Sequence, residues 1–298
     1  MPVRSIHTTA PVSLVPTLAP QAAGSGDPSF RVTPGEAWVA IRGRSGPATI
    51  HFSGEGRLIE ADAWGEGAAE ALDLAPDIIG AADDPVGFSP DHRVVADLAR
   101  RHPGIRITRC GAVAAMLIKG AVAQVVTGKE AKASYRRLTE AVGEPAPGPT
   151  DLLLPPDPAV LAAMAYHRYH PFGIERKRAE TIIRIARHAG RLDEAARLPT
   201  ADAYRRMLAV PGVGPWTAAL AGLTALGDAD AVPVGDYNLR HAVAWVLAGE
   251  RRATDERMLE LLEPYAGHRG RVIRLVKASG AKAPRYGPRR PLRSIEQI

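Results

Sequence analysis

The residues best suited to chemistry begin with a glycine-rich loop at residues 210–214, between two segments of helical periodicity. Gly212 and Gly214 flank a single apolar residue there, and glycine permits positive φ angles and a close approach of the backbone to a ligand. Pro215 suits the first turn of the following helix, where its missing N–H costs nothing. The exposed amides of such a loop can hold a phosphate whatever base it carries. The loop alone is also compatible with an ordinary turn between two helices that has a glycine cap.

The second candidate is an acidic residue, Asp236, which lies twenty-two residues beyond Gly214. It follows a glycine and opens another apolar helical segment. A carboxylate can stabilise a developing positive charge and can orient or deprotonate water. Aspartate is also a preferred N-cap residue, so Asp236 in isolation needs no catalytic role. The loop that precedes it favours the catalytic interpretation.

The elements that must position these residues differ between the start of the chain and the remainder. Residues 1–90 contain short β-rich segments separated by proline and glycine, at 30–33, 37–42, 49–53 and 58–63. One helix is predicted within this region, at 67–72, and residues 81–90 carry the signals of a linker. These patterns predict a small antiparallel β-rich domain over residues 1–90.

From residue 91 onward the apolar residues recur with helical spacing. Helices are predicted at 91–101, 111–126, 129–142, 158–163, 176–188, 201–209, 216–226, 237–247, 254–262 and 269–278. The predicted fold class is therefore α+β: the β-rich N-terminal domain is followed by a mostly α-helical two-domain body, residues 91–280, which carries the helix-hairpin-helix.

A basic C-terminal tail is predicted for residues 281–298, which hold several arginines among prolines. These arginines are Arg285, Arg289, Arg290 and Arg293. A tail that contacts nucleic acid and a solvated, disordered end are both consistent with this composition.

Charge, cysteine count and the length of apolar runs limit the kinds of partner and site that the protein can have. The formal net charge is +6 and the sequence pI is about 9.7, which favours a polyanionic partner. Cys110 is the one cysteine, so an internal disulfide and a four-thiolate zinc or iron–sulfur site are excluded. No run approaches the roughly 18 apolar residues of a membrane span, and the start lacks a leader pattern. We therefore expect a cytoplasmic protein without a membrane partner.

The loop followed by Asp236 resembles the signature of the helix-hairpin-helix DNA glycosylases. With its β-rich start and helical body, most of the chain is similar to the alkylation-repair branch, the bacterial 3-methyladenine DNA glycosylase II family. Residues 118–127 resemble the glutamine-bearing helix end of that family, and residues 172–179 resemble its Gly-x-x-x-x-Lys/Arg-Ala helix start. The resemblance implies a six-helix part at about 111–227, with the remaining helices at 91–110 and 228–280.

The resemblance also implies roles for particular residues. Asp236 would be catalytic. The DNA-binding residues would be Val210, Gly212, Val213, Gly214, Gln124 and Val125, with Val125 as the wedge that fills the gap left by a flipped nucleotide. The base pocket would be formed by Trp216, Tyr237, Tyr166, Tyr265 and His268. The carbonyl groups of Val210, Gly212 and Val213 would hold a monovalent cation, Na⁺ or K⁺.

The implied activity is hydrolysis of the N-glycosidic bond of an alkylated purine, such as 3-methyladenine or 7-methylguanine, in double-stranded DNA, the first step of base excision repair. Bifunctional members of the family carry a lysine at the position after the hairpin, where this chain has Trp216, so a monofunctional enzyme without lyase activity is expected. A nucleoid-associated monomer without an iron–sulfur cluster is expected. Two alternatives stay open: the same scaffold acting on an oxidised or deaminated base, and a non-catalytic module that binds damaged DNA.

Overall fold

The computed structural model describes residues 2–284. The arginines of the predicted basic tail, Arg285, Arg289, Arg290 and Arg293, lie outside the described residues. Within residues 2–284, no helix combines the length and the apolar character that a membrane span needs.

The N-terminal part is a four-stranded antiparallel sheet in the order β1-β4-β3-β2. Its strands are β1 (Val3–Val12), β2 (Phe30–Thr33), β3 (Glu36–Gly43) and β4 (Gly46–Trp64). Two short helices accompany them, α1 (Leu14–Leu18) and α2 (Ala68–Ile78). The apolar face of the sheet packs with both helices around Ile50, Phe52 and Ile59. The predicted antiparallel β-rich start is confirmed.

Two details of the sheet differ from the sequence prediction. The segments predicted at 49–53 and 58–63 are one strand, β4, which pairs with β3 through its first half and with β1 through its second. Gly54 and Gly56 have positive φ angles inside this strand, so they bend it where the sequence indicated a turn. The strand β1 was not predicted, because only Ile6, Thr8 and Val12 of its residues are buried and its apolar alternation is weak.

The remaining chain is helical, as predicted. Its helices are α3 (Arg93–Arg101), α4 (Val113–Val122), α5 (Gly128–Val142), α6 (Pro158–Ala163), α7 (Arg176–Arg187), α8 (Ala189–Asp193), α9 (Thr200–Leu208), α10 (Pro215–Ala221), α11 (Tyr237–Ala248), α12 (Asp255–Leu262) and α13 (Arg269–Ala278). One core is built mainly by helices α4 to α10, around Tyr135, Tyr169 and Ile182. A second lies between α3 and helices α11 to α13, around Val243 and Ile273.

Two helix ends depart from the prediction at positions that matter for the site. Helix α4 was predicted to reach residue 126 but ends at Val122. Helix α10 was predicted to reach residue 226, but after Ala221 the backbone widens into one π turn, Gly222–Leu226. The hydroxyl group of Tyr204 lies where a side chain on Gly222 would be, so the π turn packs closely against α9. Such a turn shifts the direction of the chain that leads toward Asp236.

Buried charges join the sheet domain to the helices. The Lys119 ammonium group on α4 donates to the Asp27 carboxylate at 2.9 Å and to the Gln21 carbonyl at 2.8 Å. The Asp27 side chain is fully buried. Burial alone would lower the pKa of Lys119, but the Asp27 carboxylate raises it above its ordinary value. The Arg271 guanidinium on α13 makes a similar buried pair with Asp83 at 2.7 Å.

Replacing Asp27 tests the importance of the Lys119 pair. Asp27→Ala leaves a buried ammonium group without its counter-charge, so we expect the free energy of unfolding to fall by about 3 kcal/mol or more. Denaturation in urea measures the change. The matched control is Asp151→Ala, which removes an exposed partner of Arg31 and should cost less than about 1 kcal/mol. Equal losses in the two variants would contradict this account of the pair.

A second prediction concerns Asp193, whose carboxylate accepts a hydrogen bond from the Ala114 amide at the start of α4. Burial raises the pKa of Asp193 to about 6. The folded state therefore binds a proton more tightly than the unfolded chain, and stability is lost as the pH rises from about 4 through about 6. Asp193→Asn keeps an acceptor without the charge. We expect it to raise the free energy of unfolding at neutral pH by up to about 3 kcal/mol, with no gain near pH ~4. A gain that is the same at both pH values would contradict the prediction.

Candidate active site

The hairpin joins α9 to α10 through residues 209–214, and its two glycines have different reasons to be glycine. Gly212 has a φ angle of +97°, and a Cβ atom there would lie 2.2 Å from the Thr181 hydroxyl oxygen on α7. Gly214 has an extended backbone, and a Cβ atom there would meet nothing within 4 Å. The amides of both glycines have no acceptor among the described residues. Packing against Thr181 thus requires glycine at position 212. At position 214 there is open space beside the backbone, and the amides of Gly212 and Gly214 are free to donate.

The segment that follows α4 is tied to this hairpin. The Gln124 side-chain amide donates to the Gly212 carbonyl at 2.9 Å and to the Thr217 hydroxyl at 3.0 Å. The next residue, Val125, has a φ angle of +58° and is 82% exposed. It is the single non-glycine residue with a positive φ angle in the part of the chain that the structure describes. A β-branched side chain disfavours this conformation, at a cost of about 1–3 kcal/mol, so an apolar side chain is held in solvent by a strained backbone.

Asp236 lies between the hairpin and α11. It is the N-cap of α11, and its Oδ1 atom accepts hydrogen bonds from the amides of Asn238 and Leu239, each at 3.0 Å. Its Oδ2 atom lies 3.4 Å from the indole Nε1 of Trp216, in the first turn of α10. Amides at a helix start favour negative charge on the carboxylate. The carboxylate is therefore fixed through one oxygen and presents the other beside an aromatic ring.

The loop that carries Asp236 is held from both sides. The Tyr204 hydroxyl on α9 donates to the Asp228 carboxylate at 2.8 Å. The Asp230 carboxylate accepts from the Arg269 amide at 3.1 Å and pairs with the guanidinium of that residue. Burial would raise the pKa of Asp230, but the hydrogen bonds from Arg269 lower it. Both contacts fix the backbone of the loop that leads to Asp236.

Lys277, which was not predicted from the sequence, interacts electrostatically with Asp236. Lys277 lies in the last turn of α13. Desolvation by the surrounding protein lowers the pKa of Lys277, the negative charge of Asp236 opposes this effect, and Arg274 adds to the lowering. No motif marks Lys277 in the sequence, because its proximity depends on the packing of α13 against α11.

The predicted pocket residues do not all come together. Trp216 touches Asp236, and Tyr237 follows it in the chain with 67% of its surface exposed. The Tyr237 ring meets His241 edge-on, with centroids 5.0 Å apart, and the Arg240 guanidinium lies over it. Trp216 is therefore the predicted aromatic residue that contacts the carboxylate, and Tyr237 is the residue that follows Asp236 in the chain.

The other three have different surroundings. The Tyr166 ring lies beneath the Arg176 guanidinium and lines a hollow to which neither Asp236 nor Trp216 contributes. Tyr265 is buried in the core formed by α3 and helices α11 to α13, and burial raises its pKa. The His268 ring packs against Phe88. None of the contacts described for these three side chains reaches the Asp236 carboxylate.

The predicted cation site would use carbonyl groups of the hairpin. The Gly212 carbonyl accepts from Gln124 and the Val210 carbonyl accepts from the Val213 amide. The Val213 carbonyl accepts no hydrogen bond among the described residues. Because a carbonyl oxygen has two lone pairs, all three can still act as ligands for a hard monovalent cation. No group of three or more His, Cys, Asp or Glu side chains within residues 2–284 is arranged to hold a metal ion.

The two hairpin glycines give a matched pair of variants. Gly212→Ala combines a positive φ angle with a clash against Thr181, so we expect it to lower the free energy of unfolding by about 2 kcal/mol or more. Gly214→Ala should change stability by less than about 1 kcal/mol, because its backbone and its surroundings accept a methyl group. Its methyl group would cover the open amides, so we expect weaker DNA binding by this well-folded variant. Thermal unfolding and fluorescence anisotropy measure the two effects, and unchanged DNA affinity in Gly214→Ala would count against a hairpin contact.

Comparison with known proteins adds to this description. No family model matches the sequence. The chain is 32% identical over 202 residues to the probable bifunctional transcriptional activator/DNA repair enzyme AlkA of Mycobacterium tuberculosis. The match takes in 66% of this chain and 37% of that protein, so the chain spans little more than a third of the length of this curated relative.

Solved structures show the same fold over nearly the whole chain. The 3-methyladenine DNA glycosylase of Archaeoglobus fulgidus superposes with a TM-score of 0.76 at 18% identity, over 93% of this chain and 98% of that one. The 8-oxoguanine glycosylase/lyase of Clostridium acetobutylicum, in complex with double-stranded DNA, gives a TM-score of 0.70 at 11% identity over 93% and 99%. By its sequence the chain is similar to this AlkA protein, and its fold is that of the solved helix-hairpin-helix DNA glycosylases.

Proposed function

We propose that this chain is a monofunctional DNA glycosylase that hydrolyses the N-glycosidic bond of alkylated purines, of the 3-methyladenine and 7-methylguanine type, in duplex DNA. The observation that carries the proposal is the Asp236 carboxylate, held by two amides of α11 beside the Trp216 indole and the hairpin. The curated relative is described as a DNA repair enzyme, which supports this class of activity.

DNA would be held through its backbone. The free amides of Gly212 and Gly214 can donate to phosphate oxygens without reading a base. A monovalent cation on the carbonyl groups of Val210, Gly212 and Val213 would add positive charge beside the same phosphate. The net charge of +6 acts in the same direction, because neutralised phosphates release their counterions.

Val125 would fill the space that a flipped nucleotide leaves in the duplex. Its side chain is exposed and apolar, and Gln124 anchors its backbone to the hairpin that holds the phosphate. A wedge must keep its position when stacked bases press against it, and unstacking costs a few kcal/mol per step. The anchored backbone serves this need better than a mobile loop would.

Bond cleavage would then depend on Asp236. As the bond between C1′ of the sugar and the purine nitrogen breaks, the bonding electrons leave with the base and positive charge builds on the sugar. The Asp236 Oδ2 atom, which makes one long contact with Trp216, can stabilise that charge and accept a proton from the attacking water. The products are a free base and an abasic sugar with a hydroxyl group at C1′.

Recognition would rest on aromatic faces beside the carboxylate. Many alkylated purines carry a positive charge, which an electron-rich ring attracts when the two stack. Trp216 offers such a ring against the Asp236 carboxylate and Tyr237, the next residue in the chain, offers an exposed one, so we assign the pocket to them. Tyr166, Tyr265 and His268 have other contacts and are left out of this pocket.

The absence of strand cleavage is part of the proposal. Cleavage by a bifunctional enzyme starts when an amine attacks C1′ and forms an imine. The position after the hairpin holds Trp216, whose indole nitrogen cannot form that imine. An unbroken abasic strand is therefore the expected product.

Asp236→Asn tests the proposal most directly. Asparagine is also a good N-cap, so this variant should fold and bind DNA while losing the negative charge. We expect single-turnover base release from methylated duplex DNA to fall by at least about 100-fold. Released bases are identified by mass spectrometry, and strands are examined before and after alkali. The matched control is Asp73→Asn, an exposed carboxylate on α2, which should leave the rate unchanged.

Each outcome has a defined meaning. Release of 3-methyladenine or 7-methylguanine by the wild type, from strands that break only in alkali, would support the proposal. Release of oxidised or deaminated bases instead would move the substrate while keeping the role of Asp236. Nicks without alkali would contradict the argument from Trp216. Tight binding without release of any base would identify a non-catalytic module that binds damaged DNA.

A further inference from the structure

A basic hollow lies beside the hairpin, outside the residues assigned to catalysis. It has a volume of about 600 Å³ and is open to solvent. Helices α8 and α9 and the start of the hairpin loop form its walls. Its lining includes His188, Arg191, Arg205, Arg206, Val210 and Pro211.

The charges of this hollow do not cancel. Arg205 pairs with Asp202 at 2.6 Å, and Arg206 pairs with Glu194 at 3.2 Å. Arg191 is exposed and has no acidic partner within salt-bridge distance among the described residues. The Arg206 guanidinium donates to the Arg191 carbonyl at 2.9 Å, which fixes the backbone that carries the free guanidinium. The three arginines have two acidic partners, Asp202 and Glu194, so the positive charge of Arg191 stays available.

The hollow adjoins the hairpin, whose residues Val210 and Pro211 form part of its lining. Along α7, Arg178 donates to the Val122 carbonyl at the root of the wedge segment, and Thr181 packs beneath Gly212. His188, which follows the last residue of α7, lines the hollow. With a rise of about 1.5 Å per residue, His188 lies roughly 10 Å along α7 from Thr181, and Val210 and Pro211 form the side of the hollow that adjoins the hairpin. The wedge, the hairpin and the hollow therefore follow one another along a single helix.

We propose that this hollow is a second binding site for the phosphodiester backbone of the bound DNA, with Arg191 as its main phosphate ligand. The site would take a phosphate of the same strand, a few nucleotides from the one held by the hairpin. A guanidinium group matches phosphate geometry through paired hydrogen bonds. The inference rests on the proposed DNA binding of the hairpin but not on base excision.

The test measures how DNA affinity depends on salt. Fluorescence anisotropy gives the Kd for undamaged duplex and for duplex with a tetrahydrofuran abasic-site analogue, over a range of salt concentrations. Removing one phosphate contact should reduce the slope of log Kd against log salt by about 1, so Arg191→Gln should show this loss and Arg191→Glu a larger one. The matched control is Arg44→Glu, at an exposed arginine in the turn between β3 and β4, which should leave the slope unchanged.

Duplex length gives a second readout. Shortening the duplex from one end should weaken binding by the wild type once the duplex no longer extends from the hairpin to the hollow. Arg191→Gln should be insensitive to the same truncation. Slopes for both Arg191 variants equal to that of Arg44→Glu would overturn the inference, even if base release proceeds normally. A changed slope without base release would support the second site and reject only the enzymatic proposal.

Discussion

The whole site depends on how closely the hairpin loop approaches α7. The absence of a side chain at Gly212 lets the loop lie against Thr181, and the same residue offers its carbonyl to Gln124. Three parts of the chain meet there: the end of α4, the middle of α7 and the hairpin. The strained Val125 and the free loop amides keep their positions relative to each other because both are attached to this contact.

Asp236 lies beside the hairpin, but its helix belongs to a different hydrophobic core. Its helix, α11, packs with α3, α12 and α13, whereas the hairpin belongs to the core of α4 to α10. The Trp216 indole contacts Asp236 across the boundary between these two cores. The loop that crosses this boundary is fixed by two pairs, Tyr204–Asp228 and Asp230–Arg269. A substrate held at the hairpin, as proposed above, would therefore meet a carboxylate whose position is set by the other half of the helical body.

The sequence predicted the features that depend on local patterns. The antiparallel start, the helical body, the hairpin glycines and the cap at Asp236 all have short-range signals, and the structure contains each of them. Features that depend on tertiary packing were missed: the continuous β4, the early end of α4, and Lys277 near Asp236. The aromatic residues differ in the same way. Tyr237 is close to Asp236 in the chain, which the sequence shows directly, whereas the burial of Tyr265 in a helical core depends on tertiary packing.

One contact of α13 links the two ends of the described chain. The Arg274 guanidinium donates to the carbonyl groups of Pro16 and Thr17 at 2.8 and 3.0 Å, so α1 is completed by a side chain more than 250 residues later. Synthesis proceeds from the N-terminus, and contacts of such long sequence separation form slowly. On the ribosome, the sheet domain would therefore lack this closing contact until α13 has emerged. Until then α1 would be held by its packing against the sheet, without the hydrogen bonds from Arg274.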